Sequence, residues 1–338
     1  AVLSGLLSCS TGATSVVSGA LYVMSDAHVT SFGAALTVSG GYVGLYTNPD
    51  TDATVVLNGG QLDYTQLATS LASLTMSGTG TLIVDGLLTV PTWIQLGSGT
   101  VTGYGQVLSS GTLYLNVTTG ALTIDAVVVK NTNLTRWVAG DVAFANSGVL
   151  LNNQSATLAL ESAGTLTGVN DGRLVNYGQI SKVGAATATV NVFVVNYAAI
   201  SVPSGVLALG GGALHYSTGL QVTGTGLLRV TANTVQLVDG SALSGGNVEV
   251  TGGALVIGAN ATFTTTQTRS LGGNLRVLLA TPTFGDLSLG GGSVYLVANV
   301  TLPSVKLASG TLTGLSTLTV SGLVLVSSGT IGTPLTVV

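Results

Sequence analysis

Residues 253–331 carry the strongest periodic signal in the chain, and they read GALVIGANATFTTTQTRSLGGNLRVLLATPTFGDLSLGGGSVYLVANVTLPSVKLASGTLTGLSTLTVSGLVLVSSGTI. A glycine recurs at one constant spacing in this segment, at Gly253, Gly272, Gly291, Gly310 and Gly329. An apolar residue follows each glycine within three positions, at Leu255, Leu275, Val294, Leu312 and Ile331. A fixed period of about 20 residues is typical of a solenoid, in which each repeat stacks on its neighbour.

The same period marks the N-terminal part of the chain. Glycines recur there at the identical spacing, at Gly40, Gly59, Gly78 and Gly97. Because two separated runs share one period, the sequence predicts a single continuous β-solenoid over residues 1–338. Turns of about 19–20 residues divide a chain of 338 residues into about 17–18 turns.

One turn, residues 310–328, shows how the repeat is built. It separates into three short runs, 311–313, 316–320 and 323–326, joined by Gly or Ser. Alternation with a period of two directs one side of each run inward, and the expected inward set is Leu312, Leu318, Val320, Leu323 and Leu325. The prediction is an all-β protein, a parallel β-helix with three short strands per turn. We favour a right-handed helix, because the strict hexapeptide repeat of left-handed β-helices is missing.

A second motif recurs in the middle of the chain. Segments 174–180 (LVNYGQI) and 193–200 (FVVNYAAI) place an asparagine at matching positions. Asparagine tolerates corner conformations, and stacked asparagine side chains form hydrogen-bonded ladders. We therefore expect Asn176 and Asn196 to occupy equivalent corners and to stack.

Composition argues against several classes of protein. Charged residues make up 6% of the chain, against roughly 25% in an ordinary soluble domain. The formal net charge is −4, so a basic surface for nucleic acid is not expected. No run of about 18 residues is free of Gly, Ser, Thr, Asn and charge, which argues against a transmembrane helix. The chain begins Ala-Val-Leu without methionine, and we expect a mature chain from which a signal peptide has been removed.

Several segments carry a resemblance to known repeats. They are 204–209 (SGVLAL), 224–230 (GTGLLRV) and 244–257 (SGGNVEVTGGALVI). They resemble the repeats of secreted adhesin-like and autotransporter-passenger-like parallel β-helix proteins, and more loosely the pectin-lyase-like superfamily. The resemblance covers most of the chain but is compositional. It implies a parallel β-helix outside a cell, and it implies no activity.

Five Asn-X-Ser/Thr triplets without proline at X are candidate N-glycosylation sites. Their asparagines are Asn116, Asn133, Asn153, Asn260 and Asn299. Chance is the alternative explanation in a chain rich in Ser and Thr. A surface with so few charges lacks the usual solubilising groups, and bulky glycans would supply them. We therefore expect most of these sites to carry N-linked glycans.

The sequence predicts no catalytic constellation and no cofactor. A glycosidase needs two carboxylates across the scissile bond, whereas most acidic residues here are isolated from one another. Asp50 and Asp52 are a weak candidate Ca²⁺ site, but a solvated turn is the favoured explanation. Asp63 and Asp85 are separated by nearly one turn of sequence, so stacking could bring them together.

The remaining residue types that often carry chemistry are also isolated. His28 and His215 are far apart and are expected at the surface or at corners rather than on a metal. Trp93 and Trp137 are expected to pack rather than to bind sugars. Cys9 is the one cysteine; a buried thiol is favoured, and an intermolecular disulfide is the alternative.

Both ends of the sequence look like ordinary repeats, whereas solenoids normally need polar caps. Uncapped ends can pair head to tail, and a heterologous contact of that kind generates a filament. The competing explanation is that the sequence is a piece of a longer chain. The leading hypothesis is a secreted structural protein whose β-helical subunits stack into a glycosylated extracellular fibre or surface appendage.

Two other functions are compatible with the sequence. The first is an adhesin or carbohydrate-binding β-helix that presents one face to a cell-surface or matrix polysaccharide. The second is a polysaccharide lyase or hydrolase. The expected partners are further copies of the chain and N-linked glycans, and neither nucleic acid nor a membrane span is expected.

Overall fold

The structure is a computed structural model that describes residues 2–3, 6–9, 12–25, 27–46, 53–64, 68–161, 163–217 and 219–338. The chain divides into two compact units, Ala1–Val175 (unit 1) and Asn176–Val338 (unit 2). The described residues form strands, turns and bends, and no helix occurs among them. That part of the chain accordingly contains no helix long and apolar enough to span a bilayer.

Unit 1 is built from short strands and three longer ones, and its last strand ends at the first residue of unit 2. The strands are β1 (Val2–Leu3), β2 (Leu6–Cys9), β3 (Thr14–Val16), β4 (Ala20–Val23), β5 (His28–Phe32), β6 (Leu36–Val38), β7 (Tyr42–Leu45), β8 (Thr54–Leu57), β9 (Gln61–Tyr64), β10 (Thr69–Ser70), β11 (Ser73–Met76), β12 (Thr81–Val84), β13 (Leu87–Gln95), β14 (Gly99–Thr102), β15 (Gln106–Asp125), β16 (Val128–Asn131), β17 (Leu134–Ala145), β18 (Val149–Asn152), β19 (Thr157–Leu160), β20 (Thr165–Gly168) and β21 (Arg173–Asn176).

Unit 2 is likewise built from short strands and three longer ones. Its strands are β22 (Gln179–Lys182), β23 (Thr187–Asn191), β24 (Phe193–Asn196), β25 (Ala199–Val202), β26 (Val206–Leu209), β27 (Ala213–His215), β28 (Leu220–Val222), β29 (Leu227–Val230), β30 (Thr234–Leu237), β31 (Ala242–Ser244), β32 (Asn247–Val250), β33 (Ala254–Ile257), β34 (Thr262–Val277), β35 (Thr283–Leu296), β36 (Val300–Leu302), β37 (Val305–Gly314), β38 (Leu318–Val320), β39 (Val324–Val326), β40 (Thr330–Ile331) and β41 (Leu335–Val337).

From β22 to β30 in unit 2, each strand pairs in parallel with the third strand after it. Strand β22 pairs with β25, and β25 pairs with β28. In the same way β23 pairs with β26 and β26 with β29. Strand β24 pairs with β27, and β27 pairs with β30. Each of these turns therefore adds one strand to each of three ladders. The long strand β34 then continues all three ladders, since it pairs with β31, β32 and β33 and, on its other side, with β35. The predicted parallel β-solenoid is confirmed, while its right-handedness stays a prediction.

The units hold about 15 turns, fewer than the 17–18 predicted. The difference arises because the glycine period does not hold everywhere. In unit 2, Leu275 pairs with Val294, which lies one glycine period later in the sequence. In unit 1, Val101 pairs with Ile124, which lies more than one period later, and the register of β15 is interrupted by extra corner residues. Longer corners use up sequence without adding turns.

The recurring glycine has a local cause, which is clearest at Gly253. Its φ is +63°, in the left-handed region. A Cβ atom there would clash with the carbonyl oxygen of Asn233, one turn earlier. Only glycine combines positive φ with such a close approach between backbones. The glycine period is therefore a period of tight corners.

The core of each unit consists of apolar ladders that run from turn to turn. One ladder in unit 2 consists of Leu255, Leu275, Val294 and Leu312, each at most 1% exposed. Full burial of such a side chain contributes about 1.5–3 kcal/mol. In unit 1, Trp93 and Trp137 are fully buried, which confirms that they pack.

The predicted inward set is right for two strands of the turn at 310–328 and wrong for the third. Leu312, Leu318 and Val320 are buried, but Leu323 and Leu325 are 54% and 50% exposed. The parallel register of β39 on β37 places Leu325 beside the exposed Lys306. A slip of one residue exchanges the two faces of a strand, so the register assigns the inward positions of β39 to Val324 and Val326, beside the buried Val305 and Leu307. Val326 is itself 48% exposed, because no described turn covers β39.

Candidate functional site

The last turn of unit 2 forms an open edge, which we call the C-terminal edge and define as strands β39, β40 and β41. Strands β39 and β40 pair with β37, and β41 pairs with β38. In the described part of the chain, no strand pairs with their other side. The edge therefore presents backbone N–H and C=O groups that can pair with a further strand.

The apolar ladders of unit 2 reach solvent at this edge. Leu318 and Val320 are 1% and 0% exposed, whereas their ladder partners Leu335 and Val337 are 38% and 58% exposed. The residue types are nearly the same in both turns. The difference is that a further turn covers Leu318 and Val320, and no described residue covers Leu335 and Val337 in that way.

The first strands of unit 1 form a second open edge, which we call the N-terminal edge and define as β1, β2 and β3. They pair in parallel with β4, β5 and β6 of the following turn. Among the described residues, no preceding strand pairs with them. The two edges are therefore of opposite kind: among the described residues, no turn stacks after the one and no turn stacks before the other.

The five predicted glycosylation sites differ in accessibility. Asn133, Asn260 and Asn299 are exposed, whereas Asn116 and Asn153 are half-buried. The side-chain nitrogen of Asn260 donates a hydrogen bond to Asp239 over 3.1 Å. The side-chain oxygen of Asn299 accepts one from the backbone N–H of Thr317 over 2.8 Å. Glycan occupancy stays a prediction at all five.

Two other predicted sites fall wholly or partly outside what the structure describes. Asp50 and Asp52 lie outside the described residues. Cys9 is the last residue of β2, and the described part of the chain includes its backbone but not its side chain. Within the described ranges, no three His, Cys, Asp or Glu side chains are grouped so that they could hold a metal ion. The Ca²⁺ and disulfide hypotheses thus stay predictions.

Stacking in unit 1 does bring Asp63 and Asp85 together. Asp63 is 6% exposed. Its burial and the charge of Asp85 raise its pKa, while a hydrogen bond from Tyr42 opposes the rise. The Tyr42 hydroxyl donates to Asp63 over 2.5 Å and lies 3.2 Å from the Tyr46 hydroxyl. One carboxylate oxygen of Asp63 thus accepts from Tyr42, while the other is buried without a hydrogen-bond partner. A carboxyl group so little exposed is better placed to pack than to act as a general acid that must reach substrate.

Unit 2 contains the predicted asparagine ladder, and the ladder has a third member. The side-chain nitrogen of Asn176 donates to the side-chain oxygen of Asn196 over 2.5 Å. The side-chain nitrogen of Asn196 lies 2.5 Å from Nδ1 of His215. His215 occupies the register position after Asn196 and is 2% exposed. It is a buried corner residue rather than a surface residue.

The ladder fixes the protonation state of His215. Because an amide nitrogen can only donate, Nδ1 of His215 must accept, and the proton of the neutral ring is on Nε2. Burial lowers the pKa of His215 to about 4, although nearby backbone groups of Ala242 and Ser217 oppose part of the shift. Nε2 itself is buried without a partner at hydrogen-bond geometry, so a second proton on the ring would gain little compensation. The imidazole is therefore neutral at physiological pH.

A row of charged residues crosses three successive turns of unit 2. Glu249 is 3% exposed and lies between two arginines in the strand register. Nε of Arg229 lies 2.6 Å from one of its carboxylate oxygens, and Nη1 of Arg269 lies 3.0 Å from the other. The buried carboxylate thus holds both guanidinium groups in place, and the cluster keeps one net positive charge.

A shallow groove of about 420 Å³ lies beside this row. Its lining includes Ser204, Thr225, Leu227, Asn247, Gln267 and Arg269. Leu227, Asn247 and Gln267 are aligned on successive turns, so the groove follows the direction of stacking. Hydroxyl, amide and guanidinium groups over an apolar floor can bind a ligand rich in hydroxyl groups that carries a negative charge.

Comparison with known proteins gives no assignment, since no family model, curated protein or solved structure matches the chain. The β-helix repeat architecture is confirmed. The resemblance to secreted adhesin-like and autotransporter-passenger-like proteins stays a prediction.

Sequence reasoning missed the charged row and the burial of His215. The row could have been found, because Arg229, Glu249 and Arg269 are equally spaced at an interval close to the glycine period. The burial of His215 had a weaker signal: it lies one glycine period after Asn196, but the residue type changes there.

Proposed function

We propose that this protein is a secreted structural protein whose copies stack end to end into an extracellular, glycosylated fibre or surface appendage. The observation that carries the proposal is the C-terminal edge. Apolar ladders that are buried one turn earlier continue there to Leu335 and Val337, which are 38% and 58% exposed. Exposed apolar side chains beside open strands favour association with another β-structure.

The occupant we propose for the C-terminal edge is the N-terminal edge of a second copy. Both edges consist of strands from parallel ladders, so β1 to β3 of one copy can extend the ladders of β39 to β41 of another. A contact between two different surfaces of the same chain is heterologous, and it does not close unless the rotation between copies happens to form a ring. Repetition of the contact therefore produces a filament.

Charge supports the same pairing. The sequence of unit 1 contains three basic and nine acidic residues, a formal charge of −6. Unit 2 contains five basic and three acidic residues, a formal charge of +2. Pairing of a C-terminal edge with an N-terminal edge joins units of opposite net charge, whereas pairing of like edges joins units of the same sign. We expect association to be slower at high salt.

Glycosylation and secretion belong to the proposal. A chain with 6% charged residues has few solubilising side chains, and glycans at the exposed Asn133, Asn260 and Asn299 would supply them. None of these three residues belongs to the strands of either edge. Glycans there leave the proposed contact surfaces free.

The test replaces the exposed ladder ends with charges and examines assembly. The double variant Leu335→Lys/Val337→Lys should lose end-to-end association in negative-stain microscopy and sedimentation velocity, because it buries two lysines in the contact. Leu325→Lys is the matched control: Leu325 is 50% exposed in the same turn but lies in the outward row of Lys306. The control should assemble like the wild type. Wild-type protein that stays monodisperse at high concentration would overturn the proposal.

The groove of unit 2 favours a second candidate function, the binding of an acidic polysaccharide. Thr225, Asn247 and Gln267 offer hydrogen bonds to hydroxyl groups, and Arg269 offers a charge-assisted bond to a carboxylate or sulfate. Titration calorimetry with an acidic oligosaccharide should show binding that Arg269→Gln weakens. Lys306→Gln is the control, since Lys306 lies in the same row two turns later and outside the groove lining. Equal binding by both variants would remove this function.

A further inference from the structure

Three tyrosines in unit 2 form an exposed stack. Each tyrosine directly follows one member of the ladder formed by Asn176, Asn196 and His215, which we call the polar ladder. The tyrosines are Tyr177, Tyr197 and Tyr216. The ring centroids of Tyr177 and Tyr197 are 4.9 Å apart with an interplanar angle of 5°. Those of Tyr197 and Tyr216 are 5.1 Å apart with an angle of 13°. The three residues are 45%, 46% and 43% exposed.

The backbone keeps the rings in register. The N–H of Tyr197 donates to the carbonyl oxygen of Asn176, and the N–H of Tyr216 donates to that of Asn196, each over 2.8 Å. The side chains of the polar ladder anchor the same corners from inside. The rings are thus held together on a rigid support, while nearly half of each residue is open to solvent.

We propose that this stack is a site of oxidative phenol coupling between adjacent turns. The product is a carbon–carbon bond between an ortho carbon of Tyr197 and an ortho carbon of Tyr177 or Tyr216. The oxidant is hydrogen peroxide used by a haem peroxidase. Each of the two phenols loses one electron and one proton, and the peroxide takes up both electrons and both protons to form two waters. After the radicals couple, each ortho hydrogen moves to the phenol oxygen, so the two hydroxyl groups are restored.

The geometry favours this site because coupling needs two phenoxyl radicals close together. Neighbours held at about 5 Å meet far more often than residues on separate molecules. The bond would join residues on neighbouring turns and link those turns covalently. Such a crosslink would hold neighbouring turns of one copy together, whether or not copies assemble.

Other tyrosines are less suited to the reaction. Tyr64 is buried, which limits access of an oxidant. Tyr104 is 91% exposed, and no described aromatic ring is recorded against it. Tyr42 is tilted by 43° against Tyr22, and its hydroxyl donates to Asp63. Tyr22 and Tyr46 are nearly parallel, but their ring centroids are farther apart, at 6.5 Å. These residues provide internal comparisons.

The experiment treats dilute full-length protein with a peroxidase and limiting hydrogen peroxide, then measures dityrosine fluorescence and maps the linked peptides by mass spectrometry. Linked peptides should contain Tyr197 joined to Tyr177 or Tyr216, with a loss of two hydrogens. Tyr197→Phe keeps the ring but removes the phenol, and it should lower intramolecular coupling at least about tenfold. Tyr104→Phe is the matched control and should react like the wild type.

Two results would overturn the proposal. One is unchanged coupling in Tyr197→Phe. The other is a map in which the linked peptides contain Tyr104 or Tyr22 instead of the stack. Circular dichroism of Tyr197→Phe confirms that the comparison is made on folded protein, since a phenylalanine can occupy the same stacked position.

Discussion

The last two turns of unit 2 have nearly the same apolar pattern, yet only one of them is buried. In the inner turn, Leu318 and Val320 are covered by a further turn. In the last turn, their ladder partners Leu335 and Val337 contact solvent. The difference shows that burial in this fold depends on the neighbouring turn as much as on the residue itself. An edge turn is therefore an incomplete core that a further turn can complete.

The largest expected effect is a difference in stability loss between a substitution in the inner turn and the same substitution in the edge turn. Leu318→Ala should lower the free energy of unfolding by about 2–5 kcal/mol, because it leaves a cavity in a buried ladder. Leu335→Ala should cost about 1 kcal/mol or less in dilute, unassembled protein, because its side chain is already partly solvated. Urea unfolding of both variants measures the difference. Equal losses would show that the edge is covered in solution even when copies are dilute.

The fold could be predicted from the sequence wherever the corners of successive turns carry the same residue type at a constant spacing. The glycine at Gly253 and its successors revealed the period, because close backbone approach requires glycine there. The turn count was too high because the long corners of unit 1 carry no periodic residue. The phase of β39 was wrong because leucine and valine alternate there, so both faces are apolar. The neighbouring Lys306, which must face solvent, settles the phase through strand pairing.

The polar ladder shows a similar effect of burial, which can be measured through the titration of His215. His215 is neutral and buried with a pKa of about 4, while an unfolded histidine has a pKa of about 6.5. Between these values the unfolded chain binds a proton that the folded chain does not, so stability falls as pH falls from about 6.5 to about 4. Below that range this contribution changes no further.

His215→Asn should remove that dependence while continuing the ladder of Asn176 and Asn196. Protonation of His215 removes the acceptor for Asn196, and the corresponding loss in the wild type is roughly 3 kcal/mol. Thermal or urea unfolding at pH 7, 5 and 4 measures it as the difference between wild type and variant, which cancels the titration of carboxylates. Parallel pH profiles for the two proteins would contradict a buried neutral imidazole.

A smaller difference in the free energy of unfolding is expected between a buried ion pair and an exposed one. Glu249→Gln should cost about 1–3 kcal/mol, because it removes a buried charge that two arginines neutralise. Glu161→Gln should cost about 0.2–1 kcal/mol, because its pair with the exposed Arg136 is largely in water. The second loss should shrink in 1 M salt and the first should persist. Similar losses in both variants would show that Glu249 is not buried in solution.

The candidate sites were less predictable than the fold, for physical reasons. Exposure of Leu335 depends on what covers it, and the sequence pattern of an edge turn equals that of an inner turn. The stack of Tyr177 and Tyr197 follows from the asparagine motif, since the residue after each inward asparagine faces outward. Tyr216 extends it only once His215 is placed in the same ladder.

Amide hydrogen exchange at the C-terminal edge tests the central claim most directly. The backbone amides of β39, β40 and β41 are compared in wild-type protein at low and high concentration, and in Leu335→Lys/Val337→Lys at both. We predict that the edge amides of the wild type become protected as concentration rises, while those of the double variant stay fast. Edge amides that exchange equally fast in assembled and dilute wild-type protein would contradict end-to-end stacking through this edge.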